Sequence, residues 1–350
     1  MPSIEQFRNI IANINRTYNF AGLDEKGEAI ATFVVDTVKE TKTGRGTRVR
    51  QPIKSIEQGL MVLRERSAEA EMQRQARVSS MVLNEVLPMW NEEIRAVPNP
   101  FLRSGLFSVS HETDANREFR DNEKIVSLSN YNIRVTGKAL SQDDLSVWMS
   151  LLSMARSGPI SDVVKFTGYR LLKDLGWRMH SENYVRVKES IRRLKNNGLE
   201  ISSTDETKAY SGSLLRNYAF QSDEHDTSWW VQFEPEMAKL LVSDNTTLLE
   251  WEVRKDIGSR SRLALWLHAF YASHRDPIPF RIEKIMELCG AKTKHLPTFK
   301  RDLVNACEKL KSEGIEFLAS YEITNEDFLV VKKNPRFARL AANNEAKRLN

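Results

Sequence analysis

LPTFKRDLVNACEKLKSEG, residues 296–314, decides how this chain is read. Leu296, Phe299, Leu303, Ala306 and Leu310 recur at steps of three and four, the spacing that gathers side chains on one side of a helix. Pro297 falls in the first turn, where its missing N–H costs nothing. Opposite the apolar stripe lie Thr298, Arg301 and Asn305, with Lys294 just ahead and Lys300 at the flank. Arginine can grip guanine O6 and N7 with two hydrogen bonds, and asparagine can do the same for adenine N6 and N7. The stripe predicts a helix packed on a core. The polar face alone says less, since most surface helices have one.

Working outward, Ile282–Leu288 reads as a short helix ended at Cys289–Gly290, after the break RDPIPF at 275–280. Helices are expected at about Thr247–Lys255 and Ser259–His274 before it, and paired strands at Ile315–Ile323 and Phe328–Lys332 after it. The same order stands earlier in the chain. Ser141 is a suitable N-cap for a helix to Arg156, with Asp143 and Asp144 where the helix dipole favours them. A short helix from Thr167 to Leu175 is stopped by Gly176, and a longer one runs from Ser181 to Gly198. Strand-like runs at Leu199–Ser203 and Leu214–Gln221 then form the expected hairpin. Helix, short helix, longer helix and hairpin make up the winged-helix order. The fold class is therefore α+β, with two tandem winged-helix (helix-turn-helix) domains. Residues 88–228 and 229–335 are the two domains, 1–87 an N-terminal region and 336–350 a tail.

In the earlier long helix Tyr184, Val187, Ile191 and Leu194 form the expected buried stripe. Glu182, Arg186, Glu189 and Arg193 point away from it, and Asn183, Lys188 and Arg192 lie on the flanks, within reach of phosphates. Glu189 suits a pair along the helix; Glu182 could do the same or accept from cytosine N4. In the hairpins Lys208, Arg216, Lys332 and Lys333 are candidate contacts to a nucleic-acid backbone, though ordinary surface charge explains each equally well.

Charge and composition agree with a polyanion binder. Net charge is only +5, but Lys39–Lys54 carries six basic residues against one acidic, and Lys292–Arg301 four against none. The apolar fraction of 41% and charged fraction of 28% are those of a soluble globular protein. No run approaches the ~20 apolar residues of a membrane helix. Cys289 and Cys307 form no CxxC pair and read as reduced, buried side chains, which suits the cytoplasm. Within 1–87, a strand-like run at Ala29–Val38 and a basic loop, TKTGRGTRVRQP, precede a long helix from about Ser55 to Glu85. That helix packs on its own domain, on a second copy or on a helicase; a homodimer in equilibrium with monomer is the expected assembly.

Three segments carry a family resemblance: MWNEEIRAVPNPFLRSGLFSV (89–109), YRLLKDLGW with NYVRVKESIRRL after it (169–177 and 183–194), and FYASHRDPIPFRIEKIMELCG (270–290). Across about 88–333 the chain resembles the TrfA-type replication initiators of bacterial plasmids. The resemblance implies binding to repeated double-stranded origin sites (iterons), melting of an adjacent AT-rich segment into single strands, and recruitment of a host initiator and the replicative helicase. It places Arg186, Lys188, Lys300 and Arg301 where the family carries basic recognition-helix residues.

Enzyme signatures are missing. There is no GxxxxGK[ST] loop and no G-x-G-x-x-G after a strand. The six histidines form no HxH or HExxH pair, which speaks against the metal-assisted chemistry of a nicking initiator. No cofactor and no enzymatic activity are expected. A winged-helix transcriptional regulator is the alternative, and residue chemistry alone does not separate it from an initiator.

Overall fold

The computed structural model describes residues 91–128, 131–156, 162–203, 209–221, 228–241 and 245–337. The expectations for 1–87, for Lys208 and for the tail after Phe337 lie outside them. The chain forms β1 (Ile94–Pro98), a single turn α1 (Asn99–Leu102), β2 (Phe107–Ser108), β3 (Phe119–Ile125), β4 (Tyr131–Lys138), β5 (Leu140–Ser141) and α2 (Gln142–Ala155). Then come β6 (Val164–Thr167), α3 (Gly168–Asp174), α4 (Ser181–Asn196), β7 (Gly198–Ser203), β8 (Ala209–Gly212), β9 (Leu215–Phe220) and β10 (Ser228–Phe233). The remainder is β11 (Thr246–Glu250), α5 (Trp251–Ile257), α6 (Arg262–Ala272), β12 (Phe280–Arg281), α7 (Ile282–Leu288), α8 (Leu296–Lys311), β13 (Leu318–Ile323) and β14 (Phe328–Lys333).

One order of elements occurs twice: helix, strand, helix, helix, strand, strand. It runs α2-β6-α3-α4-β9-β10 and again α6-β12-α7-α8-β13-β14. In each, the first short strand pairs antiparallel with the last, giving sheets ordered β6-β10-β9 and β12-β14-β13. The first unit differs by an insertion. Directly after α4 the chain enters β7 and β8, which extend a separate sheet ordered β3-β4-β7-β8.

That insertion corrects the expected hairpin. Leu199–Ser203 and Leu214–Gln221 are not partners: β7 pairs with β4, burying Leu199 and Ile201 alongside Ile133 and Val135. The hairpin partner of β9 is β10, in register Val231 opposite Tyr218. A boundary at 228/229 would therefore cut through a sheet. The first core runs on through Met237, Leu241, Leu249 and Trp251, and the second begins at Val253. Thr247–Lys255 is likewise not one helix. Its first residues belong to β11 (TTLLE, from Thr246), which pairs with β1 from Ile94 opposite Glu250 to Pro98 opposite Thr246; the helix begins only at Trp251. The β-branched threonines favour that extended backbone.

Elsewhere local signals and structure agree closely. Thr167 caps α3 by accepting from the Arg170 N–H, and Gly176 ends the segment at φ +67°, a left-handed backbone that favours glycine. α7 spans Ile282–Leu288, and Cys289 and Cys307 are buried and unbridged. His268 lies in the core of α6, where burial pushes its pKa down to about 3 and keeps the ring neutral. Among the described residues no helix is long and apolar enough to cross a membrane.

Candidate nucleic-acid interface

α8 presents the face its sequence spacing dictates. Phe299, Leu303, Ala306 and Leu310 are buried, and Leu296 packs partly buried at the start of the same stripe. On the opposite side Lys294, Arg301 and Asn305 are exposed. Arg301 has 72% of its side chain in solvent and, among the described residues, forms an ion pair only with Asp302, at 3.6 Å. Thr298 Oγ1 lies 2.9 Å from His295 Nδ1 at the head of the helix. Lys300 is held to one side, its Nζ 2.6 Å from Asp327 Oδ1 in the turn between β13 and β14. Lys332 is exposed, whereas Lys333 donates to the His274 carbonyl at 2.5 Å and is half-buried. Lys333 is thus bound into the unit instead of facing outward.

α4 departs from its expected face. Val187, Ile191 and Leu194 are buried as the stripe predicts, and Tyr184 packs edge-on to Trp229 at 6.2 Å. Arg193, expected to point outward, is buried. Its Nη2 lies 2.7 Å from Asp144 Oδ1 and its Nη1 2.6 Å from Asp114 Oδ1. Arg186 is turned inward as well. Its Nη2 is 2.6 Å from Asp143 Oδ1, its Nε donates to Oδ2 at 3.2 Å, and its guanidinium stacks 4.0 Å from the Trp177 ring centre. The cause is the acidic start of α2, which faces α4 and draws both cations to itself.

α4 leaves Ser181, Glu182, Val185, Arg192 and Asn196 exposed, with Glu189 and Lys188 among its partly exposed residues. On a 3.6-residue period Glu182, Val185, Glu189, Arg192 and Asn196 share one face. Asn183 is used locally, its Nδ2 donating to the Arg178 carbonyl at 2.8 Å. Lys188 and Arg192 lean toward the β9–β10 hairpin. The Lys188 ammonium lies 5.0 Å from the Trp229 ring centre, and the Arg192 guanidinium 5.8 Å from that of Phe220. Arg216 sits half-exposed on β9.

The same aromatic cluster fixes α3 against α4. Phe220 and Phe166 pack on Trp229 at 5.0 and 6.2 Å, and a Cβ at Gly168 would stand 2.8 Å from both Tyr184 and Trp229. α3 can begin there only because residue 168 has no side chain. The tight fit brings out cations that sequence spacing did not single out. Lys165, Arg170, Lys173 and Arg178 are all exposed, and none makes an ion pair within the described residues. Their only sequence signal was position, beside the short helix and in the turn before α4.

A buried polar seam joins the two units. Asp143, on α2, also takes Arg262 of α6, whose Nη2 lies 2.6 Å from its Oδ2. Arg254 of α5 donates to Gln142 Oε1 at 3.0 Å and to Ser146 Oγ at 3.0 Å. Burial alone would raise the Asp143 pKa; the two arginines outweigh it and hold the carboxyl below its usual range. Asp144 reaches back to accept the Ser141 N–H at 2.8 Å, which starts α2, and also takes Arg117 at 3.2 Å. The aspartates that sequence reading assigned to the helix dipole thus lie in the interior as counter-ions.

Two outward helix faces in one chain, each backed by its own core and hairpin, set the class of architecture. The TrfA protein family matches residues 64–333, and the chain belongs to that family. Among its relatives, the plasmid replication initiator protein TrfA of Escherichia coli is 27% identical over 316 residues, covering 89% of this chain and 78% of that protein. Two crystal structures of domains 2 and 3 of RctB superpose with TM-scores of 0.48 and 0.45. Each is 14% identical, and they cover 68% and 67% of this chain and 98% and 97% of those chains.

Proposed function

We propose that this chain initiates plasmid replication by binding repeated sites in origin DNA through two winged-helix modules. The observation that carries the reading is the α8 face. Arg301 and Asn305 stand in solvent on the third helix of a unit that belongs to a TrfA-family chain, with Lys294 exposed just before that helix. A major groove admits one such helix, and these side chains match the acceptor and donor edges of guanine and adenine. The twice-used helix–strand–helix–helix–strand–strand order supports a winged helix in each half. α4 and α8 would then occupy successive major-groove turns, separated by ~10–10.5 bp.

The work of melting would come from filling several sites and bending the DNA, without covalent chemistry. Deforming a 20–30 bp site costs about 1–6 kcal/mol, within reach of a few cooperative contacts. Double-stranded origin DNA is the first ligand, with the melted single strand, a host initiator and the replicative helicase as later partners. Footprinting on the cognate origin tests the reading: repeated protected segments of about two helical turns are expected. An unwinding assay on the same DNA then separates an initiator from a regulator, since a regulator would protect its site and leave the AT-rich segment paired. Absence of any protected site would sink the proposal.

A further inference from the structure

The outer face of α4 carries a side chain that stability does not explain. Val185 is 53% exposed, in the second turn of α4, on the side away from the core. A β-branched residue at a solvated helix position loses side-chain freedom and gains no burial. Its neighbours on that face are Glu182 one turn before, Glu189 and Arg192 one and two turns after. Exposed cations stand on α3, which packs against α4, at Arg170 and Lys173, and in the turn before α4 at Arg178. The outward face of α4 is therefore apolar and acidic, with exposed cations on the adjoining α3 and in the turn between the two helices.

From this we infer that Val185 reads a thymine methyl group in the major groove. The inference rests on the DNA reading given above and deepens it. Those cations suit phosphates along a groove, which α4's own centre, with two glutamates, would otherwise repel. Within the groove an isopropyl group has one apolar counterpart, the C5-methyl of thymine, and a carboxylate can accept from an amino group such as cytosine N4. α4 thus suits a thymine at the position Val185 meets, while α8, with Arg301 and Asn305, suits purines.

The experiment replaces each thymine of the footprinted site, one at a time, by deoxyuridine, which keeps the base pair and removes only the methyl. Affinities of the full chain and of Val185→Ala are measured on every duplex. Losing one buried methyl contact is worth about fourfold, from ~0.8 kcal/mol per group. The wild-type chain is expected to weaken about fourfold at one or two thymines of one half-site. Val185→Ala should bind the native site about fourfold more weakly and lose its response to those same substitutions, with an unchanged melting temperature. If Val185→Ala keeps the full response, or no thymine matters in either half, the inference is overturned while the DNA reading stands. An unaltered DNA affinity with altered self-association would assign the patch to a second copy and also overturn it. If neither protein prefers the origin duplex over random DNA, the DNA reading falls and this inference with it.

Discussion

Replacing Asp143 by alanine should loosen the join between the two units while leaving the outward face of α8 chemically intact. Asp143 is buried and holds Arg186 from α4 and Arg262 from α6, each at 2.6 Å. Without it Arg262, whose side chain is 9% exposed, keeps no other ion-pair partner among the described residues. Arg186, at 30% exposed, can swing toward water. Removing one partner of a buried ion pair costs about 3–5 kcal/mol, and with one arginine able to escape the low end applies, ~3 kcal/mol. Asp144→Ala is the harsher change. Its arginines, Arg117 and Arg193, are 6% and 5% exposed, and the Ser141 N–H loses its acceptor too, so the cost approaches ~5 kcal/mol. Urea unfolding followed by circular dichroism would rank the two. Arg262→Met on the Asp143→Ala background should recover much of the loss, because an apolar chain no longer needs a counter-ion. A cost for Asp143→Ala within ~0.5 kcal/mol of zero, the range of neutral surface changes, would refute the reasoning. So would an Asp144→Ala protein more stable than Asp143→Ala.

Burial alone would raise the carboxyls of Asp143 and Asp114, but their arginine and lysine partners hold both below the ordinary range. Such groups add stability above the unfolded carboxylate value near ~4 and surrender it as pH falls through the folded value, so the melting temperature should be level above pH ~5 and drop below ~4; a rise on acidification would contradict this. Arg301→Ala should cost ~1–3 kcal/mol of specific binding and relax one half of the site at unchanged melting temperature. Arg186→Ala should instead lower the melting temperature first, and equal folding stability of the two variants would refute that contrast. Specific binding should survive chelator and the absence of nucleotide; loss under either condition would mean that a metal or nucleotide site takes part.

How much of this was legible in the sequence follows from how far each signal has to reach. The faces of α8 were readable because a helix's own period sets them: Leu303 and Arg301 differ in phase whatever lies nearby. α7 was readable to the residue for the same reason, with Gly290 at φ +64° just beyond it. Arg193 was not, since its burial depends on Asp144, 49 positions back, and on Asp114, 79 back. Periodicity shows that a residue belongs to a face, never what stands opposite. The expected hairpin of β7 with β9 failed on the same ground: alternation in each says that it wants a sheet, and only the pairing of Ile133 with Ile201 says which. These misses bear directly on function. Once Arg186 and Arg193 are spent on buried ion pairs, the α4 face keeps two glutamates, a valine, one arginine and an asparagine, against the more basic face of α8. Two unlike faces fixed in one chain call for a site whose halves also differ. Under the proposed function, copies of such a site then follow one another head to tail, because a palindrome would require the two helices to read alike.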